Sequence, residues 1–211
     1  MNELMRPQRI VQIRRAKRRD AAAIELLIRE SFREHEPAYT PEAFDLATPG
    51  KNEIEKRIRD WAVWVAVDAN VIVGTISAHS EGQALHIRSM AVHPSMRRRG
   101  IGKFLLMLVK DFGSANGYKR LILNTTPFMH SAVRLYEAFG FAFTGTEQNW
   151  FGTRLRTMAK RMRKPRAGKK SVRRSALLVF LLISISTHAG PAETTLLAIE
   201  GATLVDVRTG Q

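Results

Sequence analysis

The chain contains no cysteine. That excludes a disulfide framework, a thiolate metal site and any mechanism that passes through a cysteine nucleophile. Acidic residues are scarce: 19 Asp and Glu stand against 34 Lys and Arg, for a formal net charge of +15 and a sequence pI near 11.0. A balance of that sign favours an anionic partner (nucleic acid, a phosphate-bearing cofactor or a membrane surface) without choosing among them. The N-terminal stretch MNELMRPQRIVQI lacks the apolar run of an export signal, so the first domain is expected in the cytoplasm. Long apolar runs are missing too: ALLVFLLISIS, at 176–186, is about half the roughly 20 residues that a membrane span needs. No internal repeat is visible. What remains is a globular composition, 45% hydrophobic and 25% charged, in 211 residues: one domain with a sizeable core, and a tail.

Periodicity orders the domain. Residues 11–14 read as a short strand, and DAAAIELLIRESF (20–32) has apolar residues at helical spacing. Pro37, Pro41, Pro49 and Gly50 punctuate a looser region, followed by a short polar helix at 53–60. WAVWVAV (61–67), VIVGTISA (71–78) and LHIRSMAVH (85–93) are rich in β-branched and aromatic residues and separated by turn signals, so they read as consecutive antiparallel strands. A helix over 100–116 ends at Gly117, LILNTT (121–126) is a strand, a helix over 131–139 stops at Gly140, and 141–143 and 154–160 supply the last strands. A strand meander followed by β-α-β-α-β is an α+β layered architecture.

The stretch HPSMRRRGIG (93–102) carries the chemistry. Placed between a strand and a helix, it sits where the first backbone N–H groups have no intrahelical partner and the helix dipole is positive, which suits an anion. Gly100 and Gly102 let a phosphate approach the backbone, and Arg97, Arg98, Arg99 and Lys103 surround it with positive charge. A P-loop does not fit, because Arg97 occupies the place of its first glycine and Phe104 that of the magnesium-binding hydroxyl. A dinucleotide-binding GxGxxG does not fit either, since only two of its glycines can be placed.

Arg97-x-x-Gly100-x-Gly102 after Met90-Ala91-Val92-His93-Pro94, together with SAVRLYEAFGF (131–141), resembles the paired cofactor motifs of the GCN5-related N-acetyltransferases. The resemblance covers roughly residues 9–162. It implies a mixed central sheet of about six or seven strands with about four flanking helices, acetyl-CoA as co-substrate and no metal. Carried over by position, the amides from Arg98 through Ile101 to Lys103 would hold the pyrophosphate, and Arg97 or a neighbour would contact phosphate. The backbone of Met90, Ala91 and Val92 would pair with the pantetheine arm, beside Asn124 and Thr125 on a diverging strand. Tyr136 would point its hydroxyl at the sulfur as general acid. One departure is Met129, which stands where many members have an asparagine. Without cysteine, the simplest route is direct attack of an amine on the thioester in a ternary complex.

For the base, His86 stands five residues before Ala91, where some members carry an acid; the alternatives are an exposed strand histidine or a substrate contact. His93 reads as structural and Glu137 as solvent-facing. The acceptor is expected to be a small-molecule or peptide amine, met by substrate loops at 30–60 and 145–152, with Trp150, Glu147 and Glu34 as possible contacts for a cationic acceptor. The assembly is expected to be a monomer or homodimer.

From Met162 the character changes. A basic segment, the apolar run at 176–186 and the small residues Ala189, Gly190 and Ala192 follow the order of a secretory signal peptide, and the final TLLAIEGATLVDVRTGQ resembles the first strands of amidohydrolases without any metal motif. Residues 1–163 are therefore expected to be the acetyltransferase domain. Residues 164–211 are expected to be an unpacked tail that could associate with membranes; it contributes +4 of the charge and leaves +11 to the domain. Two rival classes stand beside the enzyme: a basic nucleic-acid-binding protein, supported by Arg14, Arg15, Lys17, Arg18 and Arg19 but by no recognisable motif, and a degenerate acyl-CoA-binding module without transfer.

Overall fold

The computed structural model describes residues 11–162 and two short strands, Leu196–Leu197 and Val205–Asp206, that pair antiparallel with one another. The expectations for 164–187 lie outside the described residues. Within 11–162 the chain runs β1 (Gln12–Arg15), α1 (Ala21–Phe32), α2 (Pro41–Ala47), α3 (Lys51–Asp60), β2 (Ala62–Asp68), β3 (Val71–Glu81), β4 (Ala84–Val92), α4 (Ile101–Ala115), β5 (Arg120–Thr125), α5 (His130–Ala138), β6 (Ala142–Trp150) and β7 (Thr153–Arg161). The seven strands form one mixed sheet in the order β1-β2-β3-β4-β5-β7-β6. β4 and β5 are parallel, joined by α4 as the crossover that a parallel pair requires.

Both faces of the sheet are covered, which explains the unbroken apolar run of β2. Val63 and Val65 pack with Ile24, Leu27 and Ile28 of α1 and Ile54 of α3; Ala62, Trp64 and Ala66 pack on the other face with Leu105, Leu106 and Val109 of α4. The alternation follows from the two-residue period of a strand. In α1 the buried positions 21, 24, 27, 28, 31 and 32 trace one helical stripe. Each fully buried Ile or Leu there contributes about 1.5–3 kcal/mol relative to exposure.

Two differences from the sequence expectation concern the surroundings of the site. The proline-punctuated region contains a fifth helix, α2. Thr40 is its N-cap, with its hydroxyl accepting from the Ala43 N–H at 3.3 Å, and Pro41 occupies the first turn, where its missing N–H costs nothing. The stretch 145–152 is not a loop except at its end, where Phe151 and Gly152 form the turn into β7. β6 continues through it to Trp150, because a bulge between Phe143 and Glu147, with Gly145 at φ 83°, absorbs the irregularity and lets pairing with β7 resume.

Candidate active site

The site begins with a backbone irregularity. β4 and β5 stay in register only from Ala84–Arg120 to Ile87–Leu123. Beyond Ile87, β4 gains one residue relative to β3 between Arg88 and Ala91, and Ser89 adopts φ 47°. A bulge bends its strand and interrupts the ladder. Arg57 of α3 holds it, donating from Nη1 to Ser89 Oγ at 2.8 Å and from Nε to Glu53 Oε1 at 2.9 Å. β4 thereby splays away from β5. Ala91 and Val92 pair with Thr75 and Gly74 of β3, while the edge toward β5 is left without a strand partner. Asn124 and Thr125 lie on the other side of the split and pair with Thr157 and Arg156 of β7. The Asn124 Oδ1 accepts from Thr157 Oγ1 at 2.9 Å, and the Thr125 hydroxyl is buried without a partner among the described residues.

On one side of the split lies a cavity of about 600 Å³ lined by Met90, Ala91, Val92, the 97–103 loop and the α5 face of Ala132, Leu135 and Tyr136. Its floor is the N-terminus of α4. Gly100 caps that helix at φ 78°, a conformation costly for any residue with a Cβ, and Arg98 also has positive φ, 63°. Gly102 does something else. A Cβ there would lie 3.0 Å from Leu135 Cδ2 and Met90 Cε, so its bareness lets the loop seat against two cleft residues. The amides around 98–103 therefore face a cavity, at a helix end, without side-chain obstruction, and the residues fit a pyrophosphate. Arg97 is engaged elsewhere: it forms an ion pair with Glu34 and donates from Nη2 to Ser31 O at 3.0 Å. Arg98, Arg99 and Lys103 remain as the cations of the loop. His93 is structural, its Nδ1 2.8 Å from Ser95 Oγ at the turn after β4.

On the other side lies a cavity of about 410 Å³ lined by His86, Arg88, Arg57, Glu81, Trp150 and Gln148, among others. The β6–β7 turn docks on the start of α2, where Thr40 Oγ1 donates to Phe151 O at 2.5 Å. The two cavities share Phe32, Met90, Met129, Ala132 and Tyr136, so Tyr136 stands at their junction. Its ring packs edge-on with Phe141, and burial pushes its hydroxyl pKa up to about 12. Among the described residues that hydroxyl has no hydrogen-bond partner. Met129, in place of an asparagine, gives α5 no side-chain cap; its sulfur instead receives the Tyr39 hydroxyl at 3.7 Å.

His86 is not an exposed strand histidine; it is 7% exposed. Its Nδ1 lies 2.7 Å from Glu81 Oε2. An ionised carboxylate can only accept, so Nδ1 carries the proton and Nε2 presents a lone pair. That Nε2 is buried and without a partner among the described residues. Burial holds the imidazole below its usual pKa, against the raising effect of Glu81. His79, stacked on Trp61, lies directly across from His86, and His79, Glu81 and His86 offer ligand atoms all within 4.8 Å, a spacing able to hold a metal ion where the sequence leads one to expect none.

Three residues proposed for acceptor contact are placed apart. Glu34 lies in the cofactor-side cavity, tied to Arg97. Glu147 is ion-paired with Arg154 and Arg156, and of the three only Trp150 lines the cavity of His86. Three polar residues of that cavity, Glu81, Arg57 and Arg88, escape the sequence reading. Arg88 carries a legible signal, since His-Ile-Arg in a strand puts residues 86 and 88 on one face. Glu137 is exposed, as expected. Of the basic cluster at 14–19, Arg14 pairs with Asp20, Arg15 lies 4.7 Å over Trp64 and Arg18 pairs with Glu55, so it is no free cationic stripe.

Comparison with known proteins agrees with this architecture. The chain is 34% identical over 88 residues to N-acetylaspartate synthetase of Xenopus tropicalis, covering 41% of this chain and 32% of that protein. It is 33% identical over 91 residues to the probable N-acetyltransferase family 8 member 5 of Mus musculus, covering 39% of each. The matched segment thus spans roughly a third of the length of these curated relatives. Among solved structures, the PaiA N-acetyltransferase of Thermoplasma acidophilum in complex with coenzyme A superposes with a TM-score of 0.61 at 17% identity, covering 72% of this chain and 98% of that one. The ribosomal-protein-S18-alanine N-acetyltransferase of Escherichia coli does so with 0.56 at 18%, covering 76% and 97%. These likenesses show the fold. Residues 22–141 match the acetyltransferase (GNAT) family, which is more than half of the chain, and the chain belongs to that family.

Proposed function

We propose that the protein moves an acetyl group from acetyl-CoA to the primary amine of a small acceptor by direct attack in a ternary complex. The observation that carries this reading is the meeting of two cavities at Tyr136, one floored by a bare helix N-terminus and the other lined by a buried histidine with an unused lone pair. Acetyl-CoA, when bound, supplies the activated thioester. The amides of 98–103 would hold its pyrophosphate, and the edge of Met90–Val92 that β5 leaves uncovered would offer hydrogen bonds to the pantetheine arm, although the Val92 carbonyl already accepts from Arg97 Nε at 3.4 Å. Both halves being held, the amine and the thioester carbon are brought together at the split between β4 and β5, which converts a bimolecular encounter into an oriented one.

His86 Nε2 removes a proton from the acceptor ammonium, freeing the lone pair that forms the C–N bond. Backbone N–H groups at the split stabilise the carbonyl oxygen as it gains charge. As the C–S bond breaks, Tyr136 donates its proton to the departing thiolate; the nitrogen that has formed the C–N bond loses its second proton to solvent as the amide forms, and solvent returns a proton to Tyr136. A phenol held near 12 is protonated at every physiological pH and is neutral in its resting state, which suits a buried acid. The test is a panel of amines with acetyl-CoA, read by mass spectrometry of the product, beside calorimetry of CoA binding. CoA binding with acetylated product supports the reading; binding without turnover across the panel leaves an acyl-CoA-binding module; salt-sensitive DNA binding without CoA binding supports the nucleic-acid class.

A further inference from the structure

Arg88 is the residue of the acceptor-side cavity that the mechanism does not use. It is half-buried in the cavity wall, two positions from His86 on the same face of β4. Among the described residues its guanidinium has no hydrogen bond and no ion pair. The other charges nearby are already matched. Arg57 is satisfied by Glu53 and Ser89 and lies 4.9 Å over Trp61; Glu81 is engaged by His86. Burial lowers the Arg88 pKa, and the neighbouring Arg57 lowers it further, while Glu81 and Glu53 oppose them at longer range. A guanidinium partly withdrawn from water without a partner is destabilised, and arginine does not lose its charge to escape that cost. The fold maintains this arrangement by placing Arg57 beside Arg88 rather than an acid.

We propose that Arg88 binds the carboxylate of the acceptor, which makes the acceptor a small amino acid. This rests on the reading of the site as an amine acetyltransferase. The guanidinium fork offers two parallel N–H donors, the arrangement a carboxylate accepts. With the carboxylate fixed on Arg88, the amine of an amino acid falls toward the neighbouring His86, where its proton is removed. The cavity of about 410 Å³ is the size for a small molecule rather than a folded chain. Neutralising the anion's charge against Arg88 also removes the repulsion between Arg88 and Arg57, so the wall is more stable when occupied.

The experiment uses the full chain, with the common L-α-amino acids as probes, each beside its C-terminal amide, and the variants Arg88→Gln and Arg88→Lys. For the wild type, the preferred amino acid should show a kcat/KM about 10- to 100-fold above that of its amide, mostly through KM. Arg88→Gln should remove that preference, Arg88→Lys should restore part of it, and CoA affinity should be unchanged in both, which excludes misfolding as the cause. Equal turnover of amino acids and amides, or discrimination that survives Arg88→Gln, overturns the carboxylate assignment while leaving the acetyltransferase intact. Should no probe be acetylated, calorimetry of the same amino acids on the CoA complex decides: binding lost in Arg88→Gln sustains the anion site while the transfer reaction fails, and no binding to the wild type overturns both.

Discussion

The two cavities that meet at Tyr136 are built on different principles. The cofactor side is made largely of backbone. Its features are the start of α4, two left-handed residues at 98 and 100, and a strand edge freed by the bulge at Ser89. Side chains contribute mainly by being absent, as at Gly102. The acceptor side is made of side chains from α2, α3, β3, β4 and β6, and its chemistry depends on which of them remain unpartnered. A backbone-built site recognises a ligand common to many reactions, because amides and a helix dipole do not vary with sequence. A site built of side chains can change its ligand by single substitutions without disturbing the fold. The expected division is therefore that changes on the cofactor side alter binding of CoA for every acceptor, changes on the acceptor side alter choice and protonation of the amine, and Tyr136 affects both steps of the chemistry but neither affinity.

The sharpest break of that comparison is at the junction. Tyr136→Phe should lower kcat about 100-fold or more while leaving the CoA dissociation constant within about 2-fold, because a general acid acts in the transition state. The ring contact with Phe141 is retained, so the fold should persist. In the wild type no alkaline fall in rate should come from this residue below about pH 12, where burial has placed its pKa. An unchanged kcat, with chemistry shown to limit the rate, returns Tyr136 to the core and the junction to a packing contact.

Gly102→Val comes next. Its Cβ would press on the flexible ends of Leu135 and Met90 at 3.0 Å, which can shift, so the fold should survive with a modest loss of thermal stability. Those two ends line the cofactor cavity, and displacing them narrows it. CoA affinity measured by calorimetry should fall at least about 10-fold, alike for every acceptor. Wild-type affinity in this variant would show that the cofactor lies elsewhere.

The same contrast explains what could be read from the sequence. The cofactor side is local: Arg97-x-x-Gly100-x-Gly102 lies in one strand–loop–helix unit, and glycine is interpretable because its reasons are few. The strands of the core were legible from β-branched runs, since burial on both faces leaves no polar interruption in β2. α2 was missed because four breakers, Pro37, Pro41, Pro49 and Gly50, read as loop, although Thr40-Pro41 is itself a helix start. The extension of β6 depended on the Gly145 bulge, and a glycine in a polar stretch signals a turn as readily as a bulge. The acceptor side depends on contacts that only the folded chain makes. The Glu147 carboxylate is claimed by Arg154 and Arg156 once the β6–β7 hairpin has set its register, and nothing near residue 97 in the chain shows that Glu34 claims its guanidinium. Arg88 is informative for the opposite reason, and lack of a partner is a property only the folded chain has.

A smaller effect tests the base. Because burial holds His86 below its usual pKa, with Arg88 and His79 adding to the lowering, the neutral imidazole persists below pH 6.5. The acid limb of kcat/KM should therefore lie below 6.5. Glu81 opposes the lowering through both its hydrogen bond and its charge. Glu81→Gln should move the limb to still lower pH and reduce the plateau several-fold, since a weaker base accepts the proton less readily. A limb above 6.5, or one that Glu81→Gln leaves in place, would remove His86 from the mechanism.

The smallest effect should come from Glu147, and it separates a charge that is merely near the acceptor cavity from one that lines it. Its carboxylate accepts from Arg154 Nε at 2.7 Å and lies 3.3 Å from Arg156 Nε, with Glu147 and Arg154 both exposed. Exposed ion pairs of this kind contribute about 0–1 kcal/mol, because water solvates the separated charges nearly as well. Glu147→Gln should shift the melting temperature by a few degrees at most and leave kcat/KM within about 2-fold for every acceptor. Arg156 keeps its place over the Phe143 ring at 3.7 Å, so the hairpin should hold its register without the acid. A cationic acceptor recognised at Glu147 would instead lose affinity selectively in this variant, and a selective loss would move the acceptor's charged group from Arg88 to the β6–β7 hairpin.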